Sequence, residues 1–131
     1  IATDCGAPNE QMEAAIRWAN HIVIEANHDE QLLLNGPYPT YLKERILSDR
    51  GHQSNETCAS LLERNWHDEI RNIWLCHLSQ ENNDPNVAYN TVAEHLLEIG
   101  IMPREDVYLK VLDRLTKSPL YTLSDLIWRE N

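Results

Sequence analysis

Blocks of apolar and polar residues alternate along this chain, and the spacing within each block predicts strands and helices in turn. Short apolar runs, or strict apolar-polar alternation, predict strands at 1–3, 22–24, 73–76 and 107–112. Apolar residues three and four positions apart predict helices at 8–19, 29–35, 40–48, 54–66 and 84–99. Strands that alternate with helices indicate an α/β fold with a largely parallel sheet. Because so few strands face so many helices, we expect further strands to come from elsewhere.

Residue types at the segment ends agree with these boundaries. Ser54 is a suitable helix N-cap, and Asp84 followed by Pro85 is typical of a helix start. Gly100 is suited to end the last predicted helix. Four large apolar side chains are interpreted as core residues, namely Met12, Trp18, Trp66 and Trp74.

Composition limits the class of protein. The 131 residues are enough for one domain at most, and 42% hydrophobic with 24% charged residues is ordinary for a globular protein. No apolar run approaches the ~18 residues that a membrane-spanning helix needs, so a cytoplasmic protein without membrane contact is expected. Three cysteines without C-x-x-C spacing (Cys5, Cys58 and Cys76) favour reduced thiols. The non-methionine start at Ile1 suggests a fragment, a processed chain or one piece of a larger polypeptide.

The net charge of −10 makes general binding to nucleic acid unexpected, because phosphate neutralisation needs lysine and arginine. A bound divalent cation would reverse the local sign, however. Charge alone therefore neither supports nor excludes a metal site that acts on phosphates.

Two polar clusters follow the first predicted strands. Asp4 could bridge two metal ions through its two oxygens, or be a turn residue that binds nearby backbone. Glu25 and His28 could coordinate a metal or transfer protons. Alternatively, the neighbouring Asn27 or Asp29 could simply cap the next helix.

Two further histidines lie at positions that favour the binding of an anion or a metal. His52 lies at a predicted helix N-terminus, where an anion such as phosphate is stabilised, and it could protonate a leaving oxygen. The preceding cations, Lys43, Arg45 and Arg50, add positive charge there or are solvated helix residues. His77 directly follows a buried strand, where it could bind a metal or be satisfied by backbone carbonyls. Three others are assigned no role: His21, His67 and His95.

The polar segments stand in a specific order. They are T-D-C-G at 3–6, E-A-N-H-D at 25–29, G-P-Y-P at 36–39 with L-K and R-I after it, G-H-Q-S-N at 51–55, and H-L-S-Q-E-N-N at 77–83. This set resembles the C-terminal half of the metallo-β-lactamase-fold hydrolases, most closely the YycJ/WalJ-type branch. The resemblance implies one partial domain over 1–131, half of an αββα sandwich with a two-metal site. Members of this branch look like DNA nucleases.

The resemblance also assigns roles to residues. Asp4 matches the bridging metal aspartate, and His77 matches the last metal histidine. His52 matches the histidine of G-H-x-S-N, as a catalytic phosphate binder or proton donor. Glu25 and His28 match the E-x-N-H-D motif, Glu25 as a catalytic residue and His28 as a further metal ligand. Two divalent metal ions, zinc or manganese, are the implied cofactors.

This chain departs from the family pattern in one large respect. The H-x-H-x-D-H motif and an additional metal histidine belong to the N-terminal half, and neither occurs in these residues. Cys5 and Gln53 stand where more apolar residues are usual. With Asp4 and His77 alone, a two-metal site has too few ligands. The isolated chain is therefore expected to be inactive without the missing N-terminal half.

The resemblance predicts a metal-dependent phosphodiesterase, specifically a DNA nuclease or exonuclease, with nucleic acid and the missing half as partners. Two alternatives stay open. One is a non-catalytic half-domain that pairs with a partner chain. The other is an ester or lactone hydrolase on the same fold.

Overall fold

The computed structural model describes residues 1, 6–48 and 50–113, which form helices and a parallel sheet. The helices are α1 (Glu10–Trp18), α2 (Glu30–Asn35), α3 (Thr40–Leu47), α4 (Asn55–Arg64) and α5 (Pro85–Glu98). The strands are β1 (His21–Glu25), β2 (Asn72–Cys76) and β3 (Tyr108–Val111). The prediction of a mixed α/β chain with a parallel sheet is thus confirmed.

The sheet has the order β1-β2-β3, and both neighbouring pairs are parallel. Ile24 lies opposite Leu75, and Glu25 lies opposite Cys76 at the end of the pairing. Parallel neighbours place their carboxyl ends at the same edge of the sheet, and α/β proteins bind ligands at that edge. The polar segments that follow β1 and β2 therefore emerge side by side.

The hydrophobic core lies between the sheet and the helices α1, α4 and α5. It is formed by buried side chains from all of these elements, including Ile16, Ile24, Leu61, Leu75 and Leu96. Burying side chains of this size stabilises a fold by about 1.5–3 kcal/mol each. This packing fixes the strands whose ends carry the polar segments.

Side-chain caps begin the helices that flank the sheet edge. Ser54 accepts a hydrogen bond from the backbone N–H of Thr57, and Asp84 accepts from those of Asn86 and Val87. Both predicted N-caps are therefore confirmed. A cap of this kind contributes about 1 kcal/mol.

The core prediction for Trp18 is wrong, because its side chain is 86% exposed. Each residue of a helix is rotated by about 100° from the one before it. Trp18 is therefore rotated by about 200° from the buried Ile16 and lies on nearly the opposite side of α1. Met12 is buried as predicted, and Trp66 packs partly against the core. Trp74 is buried too, and its ring lies against those of His21 and Tyr108.

Several predictions fall outside the described residues, namely Asp4, Cys5 and most of the strand expected at 1–3. Within the described part, Cys58 is a buried free thiol, as expected. None of the helices described is long and apolar enough to cross a membrane.

Candidate metal centre

Three polar side chains meet at the carboxyl ends of β1 and β2. Glu25 is the last residue of β1, His77 follows β2, and His52 lies just before the N-cap of α4. The Nδ1 atoms of His52 and His77 both contact Oε2 of Glu25, at distances of 2.8 and 2.5 Å. The two imidazole rings contact each other edge to face, with centroids 5.1 Å apart. The sequence predicted Glu25 and His77 at strand ends and His52 at a helix N-terminus, and the structure brings the three side chains together.

Hydrogen bonding joins the two imidazoles to Glu25. Glu25 is 1% exposed, whereas the side chains of His52 and His77 are 33% and 48% exposed. A buried carboxylate needs donors, and an N–H at Nδ1 of each ring supplies them. Because these nitrogens face the carboxylate, a cation bound beside Glu25 would take the place of the two N–H protons. The two Nδ1 atoms and Oε2 of Glu25 are therefore the atoms that could hold such an ion.

The donor set fits a divalent metal ion. One ligand atom from each of Glu25, His52 and His77 can be chosen so that all three lie within 4.8 Å of one another. Ligands held about 2.1 Å from a tetrahedral ion are roughly 3.4 Å apart, so small side-chain movements would suffice. Imidazole nitrogen and carboxylate oxygen are ligands that suit zinc and manganese. The described residues thus fit one ion with an open coordination position.

Asn27 holds the backbone of His77 in an uncommon conformation. His77 has a φ of 58°, a left-handed value that costs a residue with a side chain about 1 kcal/mol or more. The Asn27 side chain donates from Nδ2 to the carbonyl of His77 at 2.9 Å. The backbone carbonyl of Asn27 accepts from the N–H of Ser79 at 2.7 Å. These two bonds fix the turn that directs the His77 imidazole at Glu25.

Gly51 lets the segment before His52 pack tightly against α3. A Cβ atom at Gly51 would lie 2.2 Å from the carbonyl oxygen of Ile46 and 2.4 Å from that of Arg45. The N–H of His52 donates to the same Ile46 carbonyl at 3.2 Å. The glycine of G-H-Q-S-N is therefore required by the close approach that places His52.

Buried amides join the loops around the centre. Gln53 donates from Nε2 to the carbonyl of Glu25, and Asn83 donates from Nδ2 to the carbonyl of Ala26. Asn55 and Asn83 also exchange a pair of side-chain hydrogen bonds at 2.8 and 2.9 Å. Sequence reasoning assigned none of these amides a role. Amide residues recur in three of the polar segments, at 25–29, 51–55 and 77–83, and this was the signal, but amides are equally common in solvated turns.

His28 lies outside the group formed by Glu25, His52 and His77. It is buried, and burial lowers the pKa of His28 to about 4, with His52 adding to that effect and Asp29 opposing it. The ring donates from Nδ1 to Asn27 Oδ1 at 3.2 Å, while Nε2 has no partner among the described residues. His28 is thus a neutral imidazole, and its role as a ligand stays a prediction. Asp29, rather than Asn27, caps the next helix.

A cavity of about 710 Å³ opens beside the centre. Its lining includes His52, His77, Ser79, Tyr38, Arg45 and Arg50. The cavity has room for part of a nucleotide, and it brings two guanidinium groups to the same space as the two imidazoles.

The histidines that were assigned no role lie elsewhere. His21 is hydrogen-bonded with the side chain of Asn72, and His67 with the carbonyl of Ile16. His95 bridges Glu63 and Glu56 on α4, at 2.8 and 2.7 Å. Its burial lowers the pKa of His95, but hydrogen bonds to the two carboxylates raise it further, so the net shift is upward.

This chain is similar in sequence to proteins that are named exodeoxyribonucleases. The chain is 41% identical over 100 residues to a Bacillus anthracis protein named exodeoxyribonuclease YycJ, which is 76% of this chain and 38% of that protein. It is 40% identical over 101 residues to exodeoxyribonuclease WalJ of Streptococcus pneumoniae serotype 2, which is 77% of this chain and 38% of that protein. These similarities support a relationship to the YycJ/WalJ type. The chain spans little more than a third of the length of these relatives.

Neither a family model nor a solved structure matches the chain. The half-sandwich fold that the resemblance implies therefore remains a prediction.

Proposed function

We propose that this chain is the C-terminal part of a metal-dependent hydrolase that cleaves phosphodiester bonds of DNA as an exonuclease. One observation carries the proposal. Glu25, His52 and His77 converge in a chain about 40% identical to proteins named exodeoxyribonucleases. The two arginines in the adjacent cavity favour a phosphate substrate over a carbon ester or lactone.

Glu25 and His77 would hold a divalent ion. When bound, such an ion lowers the pKa of a coordinated water and neutralises charge on the phosphate. Glu25 is fixed on rigid β1, and Asn27 holds the turn of His77. Burial of Glu25 keeps its carboxylate away from water, which strengthens its interaction with a cation.

His52 is placed for one of two tasks. Its Nδ1 faces Glu25, so this nitrogen can complete the ligand set there; alternatively, the protonated ring can pass a proton to the leaving oxygen. The two roles predict different losses. Replacement of a ligand lowers metal affinity, whereas replacement of a proton donor lowers kcat and leaves metal affinity unchanged.

The remaining ligands of a two-ion site would come from elsewhere. Asp4 is the predicted bridging aspartate, His28 is a further predicted ligand, and an N-terminal half would supply the H-x-H-x-D-H motif. The described residues bring three candidate ligands together, and the relatives extend well beyond the region matched here. The same two observations favour a second candidate function, a non-catalytic half-domain that pairs with a partner chain.

The test is an assay of exonuclease activity with the full-length polypeptide, with metal removed by chelation and then restored. We expect chelation to abolish hydrolysis of DNA, zinc or manganese to restore it, and His77→Ala to lose both metal and activity. The matched variant His21→Ala, whose ring lies at the opposite end of β1, should keep both. A His77→Ala protein that retains its metal and its rate would overturn the proposal.

The second candidate is tested on the 131-residue chain itself. Light scattering after size exclusion should show a stable complex with the N-terminal half supplied as a separate polypeptide. A well-folded monomer that binds no such polypeptide would contradict pairing.

A further inference from the structure

Two arginines line the cavity beside the candidate metal centre. Arg45 lies in the last turn of α3, and Arg50 lies in the connection between α3 and α4. Both line the cavity that His52 and His77 also line. The end of α3 and the connection that follows it thus bring two positive charges into the cavity beside the centre.

The placement of these charges is unusual for so acidic a chain. Three other arginines bond to protein oxygens, namely Arg17 to Asn65, Arg64 to Glu13 and Arg71 to Asp68. By contrast, no described carboxylate forms an ion pair with Arg45 or Arg50. Asp113 is the acidic residue in the described lining of the cavity, so the two guanidinium charges exceed the carboxylate charge there.

The backbone that carries the arginines is held in place. The carbonyl of Arg45 accepts from the N–H and the hydroxyl of Ser48, at 3.2 and 2.6 Å. The N–H of Gly51 donates to the carbonyl of Ser48 at 2.9 Å. Since Gly51 packs directly on the end of α3, Arg50 is anchored next to His52. An anchored backbone reduces the conformational freedom that these two residues lose when they bind a ligand.

We infer that Arg45 and Arg50 form a phosphate-binding subsite, which holds a DNA phosphate next to the one at the metal centre. A guanidinium group presents paired N–H donors that match two phosphate oxygens. The shared ligand chemistry is a nucleotide phosphate, which is either a terminal monophosphate or an internal phosphodiester. This inference rests on the proposed function, since it names a second contact to the same substrate.

The test measures binding of a single-stranded oligonucleotide by fluorescence anisotropy, with full-length protein carrying His77→Ala so that substrate is not consumed. In that background, Arg45→Gln and Arg50→Gln should each weaken binding about tenfold at low salt. Each should also reduce the slope of log K against log salt concentration by about 0.7, the value for one lost phosphate contact on a single strand. Lys110→Gln is the matched control, because Lys110 is exposed on β3 and does not line this cavity.

Two further comparisons identify the phosphate and the type of contact. Oligonucleotides with a terminal phosphate or a terminal hydroxyl are compared in both arginine variants. Loss of a preference for the phosphorylated end assigns a terminal monophosphate, whereas an equal loss on both oligonucleotides assigns an internal phosphodiester. Arg50→Lys should keep the salt slope but lower affinity, because a lysine cannot form the paired contact.

The outcomes separate this inference from the proposed function. Arginine variants that bind with the salt slope and affinity of the background protein would overturn the subsite, even if the unmutated protein degrades DNA. Conversely, a protein that binds through these arginines without hydrolysing DNA would retain the subsite and overturn the nuclease proposal.

Discussion

The molecule contains two clusters of histidine and glutamate that are built in opposite ways. In the first, His52 and His77 share one oxygen of the buried Glu25. In the second, one imidazole, that of His95, lies between the carboxylates of Glu56 and Glu63. The first lies at the carboxyl ends of two strands, and the second joins α4 to α5.

The ratio of histidines to glutamates differs between the two clusters. This difference distinguishes a possible metal-binding site from a structural contact. In the first cluster, two imidazole nitrogens face one carboxylate oxygen, so a divalent cation could replace the two N–H protons and be held by all three atoms. One imidazole between two carboxylates favours the protonated ring, because both nitrogens then donate. The second cluster is therefore an ion-pair bridge between helices, and only the first resembles a metal centre.

The distinction between the two clusters is tested most directly by neutralising one carboxylate in each cluster. Glu25→Gln should lower metal affinity and DNA hydrolysis by at least about a hundredfold, since removing even a supporting group of a ligand commonly costs 10–100-fold. Glu63→Gln should leave both unchanged and affect only stability. Calorimetric titration with zinc or manganese and an exonuclease assay measure the two effects. Equal losses in the two variants would refute the distinction.

A smaller effect is expected from the residue that positions His77. Asn27→Asp replaces the Nδ2 donor with a carboxylate oxygen facing the carbonyl of His77, so the left-handed turn should relax. We expect metal affinity to fall about 10–100-fold, with secondary structure retained in circular dichroism. Asn90→Asp, an exposed substitution on α5, serves as the control. An Asn27→Asp protein with unchanged affinity would show that Asn27 does not position the ligand.

The second cluster predicts a pH dependence of stability without an effect on metal binding. The pKa of His95 is raised in the folded state, so its contribution is complete below the ordinary value of 6.5. That contribution is lost as the pH rises through the raised pKa. The difference in Tm between the unmutated protein and His95→Gln should therefore shrink from pH 5.5 to 8.5. A difference that grows with pH would reverse the assignment.

The smallest effect is expected at Gln53. Its Nε2 bonds to the Glu25 carbonyl, but its buried Oε1 has no partner among the described residues. Gln53→Leu loses a bond of about 1 kcal/mol and removes an unpaired polar atom that costs about 1–3 kcal/mol. Urea unfolding should therefore show a change within about 1 kcal/mol of zero. A loss above about 3 kcal/mol would mean that this amide is essential to the loops of the first cluster.

Much of the fold could be predicted from local signals. Neighbouring residues determine the short apolar strands and the caps at Ser54 and Asp84. They also determine the alternation of strands and helices that predicts a parallel sheet. The prediction that Trp18 is a core residue was wrong because a hydrophobic side chain alone does not show which side of a helix it occupies. The position of Trp18 relative to Ile16 shows that side, and it places the indole toward solvent.

The candidate site could be predicted in its members but not in its geometry. Glu25, His52 and His77 were indicated by their places in the chain and by the family resemblance. Their convergence on one oxygen depends on contacts between residues 27 and 52 positions apart, which no local pattern encodes. The support that Asn27 gives to His77 was missed for the same reason.

The most direct measurement is an anomalous difference map from crystals of the full-length protein soaked with zinc, recorded at the zinc edge. We expect a zinc peak about 2.0–2.2 Å from ligand atoms of Glu25 and His77. No such peak should occur at His95. Zinc bound at the His95 cluster, or no zinc beside Glu25 and His77 in a protein that degrades DNA, would contradict the account.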